Sequence, residues 1–406
     1  MDTLKFVITG HVDHGKSTLI GRLLYDTGSL PEDRLEEIKS EAQNAGKEAE
    51  FAHLLDHLRK EREEGITVDT TQVFFRTENR NYMIIDAPGH VEFIKNMVTG
   101  ASRAEAGVLI IDAHEGAQEQ TFRHAYILSF LGIKHVIVVI NKMDLIAYDE
   151  KKYTDIMSGI TRFLEELDIS AQDYIPVSAK KGENITERAE SMEWYTGPCF
   201  IEGLDSLPGK SDGQEKGFIM PVQDIYTMGK KKVIAGRIES GSVSKGNAVT
   251  VLPGNNATAI RSIVKSADKV KRAGTGENIG LIMKHAFPVS RGNIISKKGD
   301  EAELWDSFHA WIFWMAEEDL DMQKEYTIRI ATQRSACTVA EIKKRIDSST
   351  LSVIEENASM LKHLDVGEVI ITLKHPLAAE SFSEIPSLGR FVLTDRASVA
   401  AGGTIS

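Results

Sequence analysis

The stretch "GHVDHGKS", Gly10 to Ser17, is the first place where residue types and spacing can do chemistry. It fits GxxxxGK[ST], follows the apolar run "LKFVITG" and precedes the helical "TLIGRLLYD". In such a loop successive backbone N–H groups curl around phosphate oxygens, and the positive end of the following helix adds to the field. Lys16 is expected to reach the outer phosphates and Ser17 to offer its hydroxyl to Mg²⁺, with Asp13, His14, Gly15 and Thr18 completing the cradle.

A second group, "NKMD" (Asn141, Lys142, Met143, Asp144), ends another apolar run. A carboxylate at Asp144 can accept from both the N1–H and the exocyclic amine of guanine, whereas adenine would leave it unpaired. Hydrogen bonds to charged groups contribute about 1.5–3 kcal/mol each, so two of them favour GTP over ATP. "VSA" (Val177 to Ala179) follows the last apolar run and is expected to supply a backbone contact to the guanine carbonyl, which brings in Ser178, Ala179 and Lys180. In "DAPGH", Asp86 is placed to hold Mg²⁺ through water, and the N–H of Gly89 to sense the outermost phosphate. Thr67, in "EEGIT", would complete the metal shell when GTP binds.

These residues need a scaffold, and the apolar runs supply one. "LKFVITG", "YMIID", "GVLIIDA", "HVIVVINK" and "YIPVSA" alternate with helix-length segments such as "VEFIKNMVTGASRA" and "AQEQTFRHAYILSFLG". That alternation predicts an α/β domain with a mostly parallel sheet and helices on both faces. The charged stretch 29–65 interrupts it as a helical insertion, and the Pro/Gly/Ser-rich 198–217 marks a domain edge. Beyond it, short strands separated by glycine-bearing turns predict two closed β-barrels, which hide their sheet edges by closure. The expected domains are therefore 1–208 for nucleotide, 216–298 for the first barrel and 303–406 for the second.

Composition limits the alternatives. Over 406 residues the chain is 42% hydrophobic, enough for packed cores, and no run approaches the roughly 20 apolar residues of a membrane span. The opening "MDTLKFVITG" enters a strand without a charged leader, so a cytoplasmic protein without a membrane partner is expected. Cys199 and Cys337, the only cysteines, lack metal spacing and read as free structural thiols. The formal charge of -12 is concentrated in the first half and is not a nucleic-acid footprint. Lys230 to Lys232 read as a solvated hairpin turn, and Trp311, Phe313 and Trp314 as barrel packing. His124 and His135 have no ligand spacing.

Together "GHVDHGKS", "EREEGIT", "DAPGH", "NKMD" and "VSAKKGEN" resemble the five nucleotide motifs of the translation-factor class of GTPases, and the two barrels match that class. The resemblance implies that His90 takes the place of the water-orienting glutamine of Ras-type GTPases, gated by the apolar pair Val12 and Ile66. It also implies a monovalent cation (K⁺) near Asp13, and it implies no arginine finger.

That class contains two trades. "MPVQDIY…IAGRIESG" and "HAWIFWMAEEDL" resemble most closely the GTPase subunit of two-subunit sulfate adenylyltransferase. Such a subunit couples GTP hydrolysis to adenosine 5'-phosphosulfate synthesis by a partner catalytic subunit. Lys231 and Lys232 fall where elongation factors tend to carry Gly-Thr, and the acidic charge points the same way, since a tRNA carrier gains from a basic face. The alternative is an elongation factor of the Tu or 1-alpha type, whose partners are aminoacyl-tRNA and the ribosome. "HVEFIKNMVTGAS" and "LGRFVLTD" suit it equally. No second phosphate loop follows, so no fused kinase is expected.

Overall fold

The computed structural model describes residues 3–11, 13–30, 71–86, 104–208, 217–229, 231–266, 268–285 and 288–406. Val12, Ile66, Thr67, Gly89, His90, Lys230, most of the insertion 29–65 and nearly all of the helix expected over 91–104 lie outside the described residues, as does the Asp86 side chain. The chain divides into two compact units, Met1–Ser211 and Asp212–Ser406.

The first unit is built on β1 (Thr3–Gly10), β2 (Thr71–Arg76), β3 (Asn81–Asp86), β4 (Ala106–Asp112), β5 (His135–Asn141) and β6 (Ser170–Pro176), in the spatial order β2-β3-β1-β4-β5-β6. All neighbours pair in parallel except β2, which lies antiparallel on β3. β4 is buried at every position, as a strand covered on both faces must be. Leu4, Phe6 and Ile8 of β1 share one apolar cluster with Leu19, Ile20 and Leu23 of α1 (Lys16–Asp26). Phe200 and Leu204 of the short α-helix Phe200–Ser206 join the same cluster. Strand alternation sends Val7 to the opposite face. There Gly107 lets Leu128 of α2 (Glu119–Phe130) approach so closely that an added Cβ would lie 3.0 Å from it. α3 (Glu150–Glu166) follows β5, and the short helix Phe200–Ser206 is α4.

Strand β2 escaped the sequence reading. Its burial alternates, with Val73 and Phe75 inside and Phe74 56% exposed, and the polar Thr71, Gln72 and Arg76 confine its apolar run to three residues, shorter than those of its parallel neighbours. Strand β6 begins at Ser170, earlier than "YIPVSA" suggests, because one side of a last strand tolerates polar residues.

In the second unit a ring of six strands closes on itself. β7 (Ile219–Met228), β8 (Lys231–Arg237), β10 (Ala248–Leu252), β11 (Asn256–Lys265), β14 (Asn278–Met283) and β15 (Ile294–Lys297) run β10-β15-β7-β8-β14-β11, and the β10–β11 pairing closes them. β12 (Asp268–Val270) extends β11, while β9 (Ser242–Ser244) pairs with β13 (Arg272–Gly274). A second ring follows: β16 (Glu303–Trp314), β17 (Tyr326–Ile330), β18 (Gln333–Asp347), β20 (Asp365–Ala379), β21 (Arg390–Asp395) and β22 (Ser398–Ile405), closed by the β17–β18 pairing. β19 (Val353–Ala358) extends β18, and the single turn α5 (Pro386–Gly389) precedes β21. Ile219, Leu252 and Ile294 of the first ring belong to the apolar cluster of the second, which joins the two barrels in one unit.

Phe313 and Trp314 are buried in β16 and Trp311 is partly so, with the Trp314 indole donating to Glu318 O at 2.8 Å. Met228 pairs with Lys231 and Lys232 is exposed, while Lys230 lies outside the described residues. Both cysteines are free and buried, and burial pushes the Cys337 thiol up to about 12. Among the described residues no helix is long and apolar enough to cross a membrane.

Candidate nucleotide-binding site

The loop Gly10–Ser17 leaves the carboxyl end of β1, between β3 and β4, where the chain's strand order reverses direction. Ligands of open α/β sheets bind at such points. Gly10 pairs with Ile110 so closely that a Cβ would sit 2.4 Å from the Ile110 carbonyl oxygen. Gly15 has φ +90°, and a Cβ there would fall 2.4 Å from Asn141 Nδ2. It is also the N-cap of α1, with no side-chain capping bond and no acid in the first turn, so the helix's positive end is left for an anion. Lys16 Nζ crosses the loop to donate to Gly10 O at 2.6 Å and His11 O at 2.9 Å. Ser17 and Thr18 lie half-buried in the first turn, and Asp13 is exposed with φ 66°.

Beneath the loop His14 is fully buried. Its Nδ1 lies 3.3 Å from Ile110 O, and because a carbonyl only accepts, Nδ1 carries the proton. Nε2 makes no hydrogen bond and lies 3.5 Å from Glu115 Oε2. Burial holds the imidazole below 6.5 against the opposing pull of Ile110 O, Asp112 and Glu115, so at neutral pH the Glu115 contact is not an ion pair. Asp112, also buried, shows the opposite balance. Burial raises its pKa, but the Lys142 ammonium at 2.7 Å and the His114 N–H at 2.7 Å together hold the carboxyl below its ordinary range. Lys142 thus has its charge committed to Asp112.

Asn141 joins the two halves of the site. Its Nδ2 donates to His14 O at 2.9 Å, and its Oδ1 accepts from Ala179 N at 3.0 Å. Backbone bonds from Val177 N to Ile140 O and from Met143 N to Val177 O tie the ends of β5 and β6. Asp144, in the single-turn 3-10 helix Met143–Ile146, accepts from Ser178 Oγ at 2.7 Å. The N–H groups of Ser178 and Ala179 are bonded internally, to Glu183 O and Asn141 Oδ1. Lys180 is exposed beside them. Lys142, Ala147 and Tyr148 all have left-handed φ, at 63°, 52° and 59°. Such strain is of order 1 kcal/mol or more per residue and collects at binding sites.

The structure therefore brings together Asp13 to Thr18, Asn141, Lys142, Asp144 and Ser178 to Lys180. The backbone of Asp86 pairs with Ile8, two residues before Gly10. Of the expected Mg²⁺ set, Ser17 is the member whose side chain is described, and no cluster of three or more His, Cys, Asp or Glu able to hold a metal lies among the described residues. Sequence reading missed Asp112, Tyr148 and Glu183. Asp112 had a signal, since it ends β4 as Asp86 ends β3 and Asn141 ends β5. Tyr148 and Glu183 had none.

A mostly parallel sheet with a phosphate loop after β1 and "NKMD" at the end of β5, followed by two closed barrels, defines a GTP-binding GTPase of the translation-factor class. Residues 1–224 match the family described as the elongation factor Tu GTP binding domain, and residues 307–406 match the GTP-eEF1A C-terminal domain-like family. The chain belongs to the elongation factor Tu/1-alpha family. Elongation factor 1-alpha of Natronomonas pharaonis is 36% identical over 98% of this chain and 96% of its own length. That of Aeropyrum pernix is 37% identical over 97% of this chain and 93% of its own length. The bifunctional enzyme NodQ of a Rhizobium species is 36% identical over 98% of this chain, which spans 62% of that enzyme. Among solved structures, sup35 complexed with GDP is similar at 25% identity, with a TM-score of 0.46, over 100% of this chain and 93% of that one.

Proposed function

We propose that this chain is a GTP-driven switch of the elongation factor 1-alpha kind, which carries aminoacyl-tRNA to the ribosome and hydrolyses GTP there. The observation that carries the nucleotide reading is Asn141, which ties the phosphate loop to the segment beside Asp144. The client rests on the whole-chain likeness to relatives named elongation factor 1-alpha. Lys16 and the loop N–H groups hold the phosphates, Asp144 accepts from guanine, and Ser178, Ala179 and Lys180 border the base. Ser17, Thr67 and Asp86 would hold Mg²⁺, which when bound neutralises charge on the outer phosphates. Gly89 senses the outermost phosphate, and His90, gated by Val12 and Ile66, orients the attacking water. Asp13 would face a monovalent cation.

A second reading makes the chain the GTPase subunit of sulfate adenylyltransferase, acting on a separate catalytic subunit. One observation favours it: the tight Met228–Lys231 hairpin, with lysines where the elongation-factor pattern has Gly-Thr. Two measurements test the proposal. Asp144→Asn should transfer preference from GTP to xanthosine triphosphate, and retained GTP selectivity would remove the guanine assignment. GTP-dependent binding of aminoacyl-tRNA supports the first client. Its absence, with stimulation of sulfate-dependent pyrophosphate release from ATP by a catalytic subunit, would establish the second.

A further inference from the structure

We propose that Tyr148 is a positioning residue for guanine recognition: its hydroxyl latches the turn that carries Asp144 to the loop that carries Ser178. This deepens the nucleotide reading above and rests on it.

The latch is a closed ring of contacts. Ser178 Oγ donates to Asp144 Oδ1 at 2.7 Å. Ser178 and Glu183 exchange backbone bonds, from Ser178 N to Glu183 O at 3.2 Å and from Glu183 N to Ser178 O at 3.1 Å. The Tyr148 hydroxyl donates to Glu183 Oε2 at 2.6 Å. The Tyr148 N–H then donates to Met143 O at 2.9 Å, which returns the ring to the turn holding Asp144. Each partner is itself held. Glu183 Oε1 accepts from Ser191 Oγ at 3.0 Å, Lys181 Nζ donates to the Tyr148 hydroxyl at 3.0 Å, and Trp194 Nε1 donates to Tyr148 O at 3.0 Å.

The backbone shows that something must hold this turn. Ala147 and Tyr148 are consecutive left-handed residues, and neither has the short polar side chain that lets Asn or Asp stabilise that conformation locally. Local backbone bonds close the turn, from Ala147 N to Asp144 O and from Tyr148 N to Met143 O, and the tertiary contacts of Tyr148 add to them. Burial, reinforced by the Glu183 carboxylate, holds its hydroxyl above the ordinary range, so it remains a donor at neutral pH.

The consequence falls on Asp144. With one oxygen engaged by Ser178, its carboxylate must meet the N1–H and 2-amino groups of guanine side by side, which demands a fixed orientation as well as a fixed position. A shift of about 1 Å is enough to spoil such an arrangement. A tether serving the fold alone would affect every nucleotide equally, whereas a latch on Asp144 affects the base contacts.

Inosine lacks the 2-amino group, so the ratio of GDP to IDP affinity reads the carboxylate's placement. In the full chain, Tyr148→Phe should weaken GDP about tenfold and IDP about twofold, lowering the ratio about fivefold. An equal loss for both nucleotides, or no loss, overturns the latch. Glu183→Gln, which still accepts from the hydroxyl, should keep most of the ratio, and Glu183→Ala should lose it. A wild-type ratio in Glu183→Ala also overturns the proposal. Asp144→Asn serves as the control. Failure to shift toward xanthosine diphosphate removes the guanine reading and the latch with it, while a shift beside an unchanged Tyr148→Phe ratio sinks the latch alone.

Discussion

Replacing Asn141 with Ala should uncouple the phosphate loop from the base-reading segment. The side chain is 2% exposed and makes two bonds, donating to His14 O at 2.9 Å and accepting from Ala179 N at 3.0 Å. Truncation removes both and strands a carbonyl and an amide away from water. Each unmet group costs about 1–3 kcal/mol, so the pair sums to about 2–6 kcal/mol, with water entering the space setting the lower end. At about 1.4 kcal/mol per decade, that is at least tenfold in any equilibrium that needs both segments in place. GDP titration with a fluorescent analogue should therefore show affinity reduced at least about tenfold. The Ala179 amide should exchange with deuterium correspondingly faster. Asn141→Asp separates the two bonds. It can still accept from Ala179 N, protecting that amide, but sets a carboxylate oxygen against the His14 carbonyl, so nucleotide affinity should fall regardless. Wild-type GDP affinity together with an unchanged Ala179 amide in Asn141→Ala would refute the coupling.

Two further outcomes follow from the same loop. Gly15→Ala places a Cβ 2.4 Å from Asn141 Nδ2 at φ +90°, where an L-residue already costs about 1–2 kcal/mol, so GDP binding and thermal stability should both drop. Near-native behaviour in calorimetry would mean the loop tolerates another conformation. His14, held below 6.5 chiefly by burial, takes up its proton more readily in the unfolded chain. Between its folded value and 6.5 the unfolded chain binds more protons, so stability rises with pH across that window and falls on acidification. Urea unfolding of the nucleotide-free chain between about pH 5 and 7 should show this slope, and His14→Asn should flatten it. An identical slope in the variant would assign the dependence to another group.

Much of the site was legible because its chemistry is local. A phosphate loop is a run of consecutive backbone N–H groups, so Gly10, Gly15, Lys16 and Ser17 announce it by spacing alone. The parallel strands were equally plain, since β1, β4 and β5 carry apolar residues at nearly every position. Strand β2 was not, because Thr71, Gln72 and Arg76 leave it an apolar run of three residues, Val73 to Phe75. Lys142 belonged to the expected base site, but its pairing with Asp112 depended on how β4 and β5 align, Asp112 opposite Asn141. The expected boundaries, 1–208, 216–298 and 303–406, follow composition. The compact units, Met1–Ser211 and Asp212–Ser406, follow packing, since Ile219, Leu252 and Ile294 look no different in sequence from residues of the first barrel's own core.

What the sequence supplied by itself was the chemistry at hand: a phosphate-loop pattern, the carboxylate proposed for guanine and strands to carry them. The tertiary structure decided how those parts constrain one another. Asn141 meets His14 across 127 residues and Ala179 across 38, and Tyr148 meets Glu183 across 35. The barrels close through the β10–β11 and β17–β18 pairings. Short-range patterns express backbone conformation and burial, which neighbours in sequence dictate. A hydrogen bond between distant segments depends on strand order and register, and these emerge only when the whole sheet has packed.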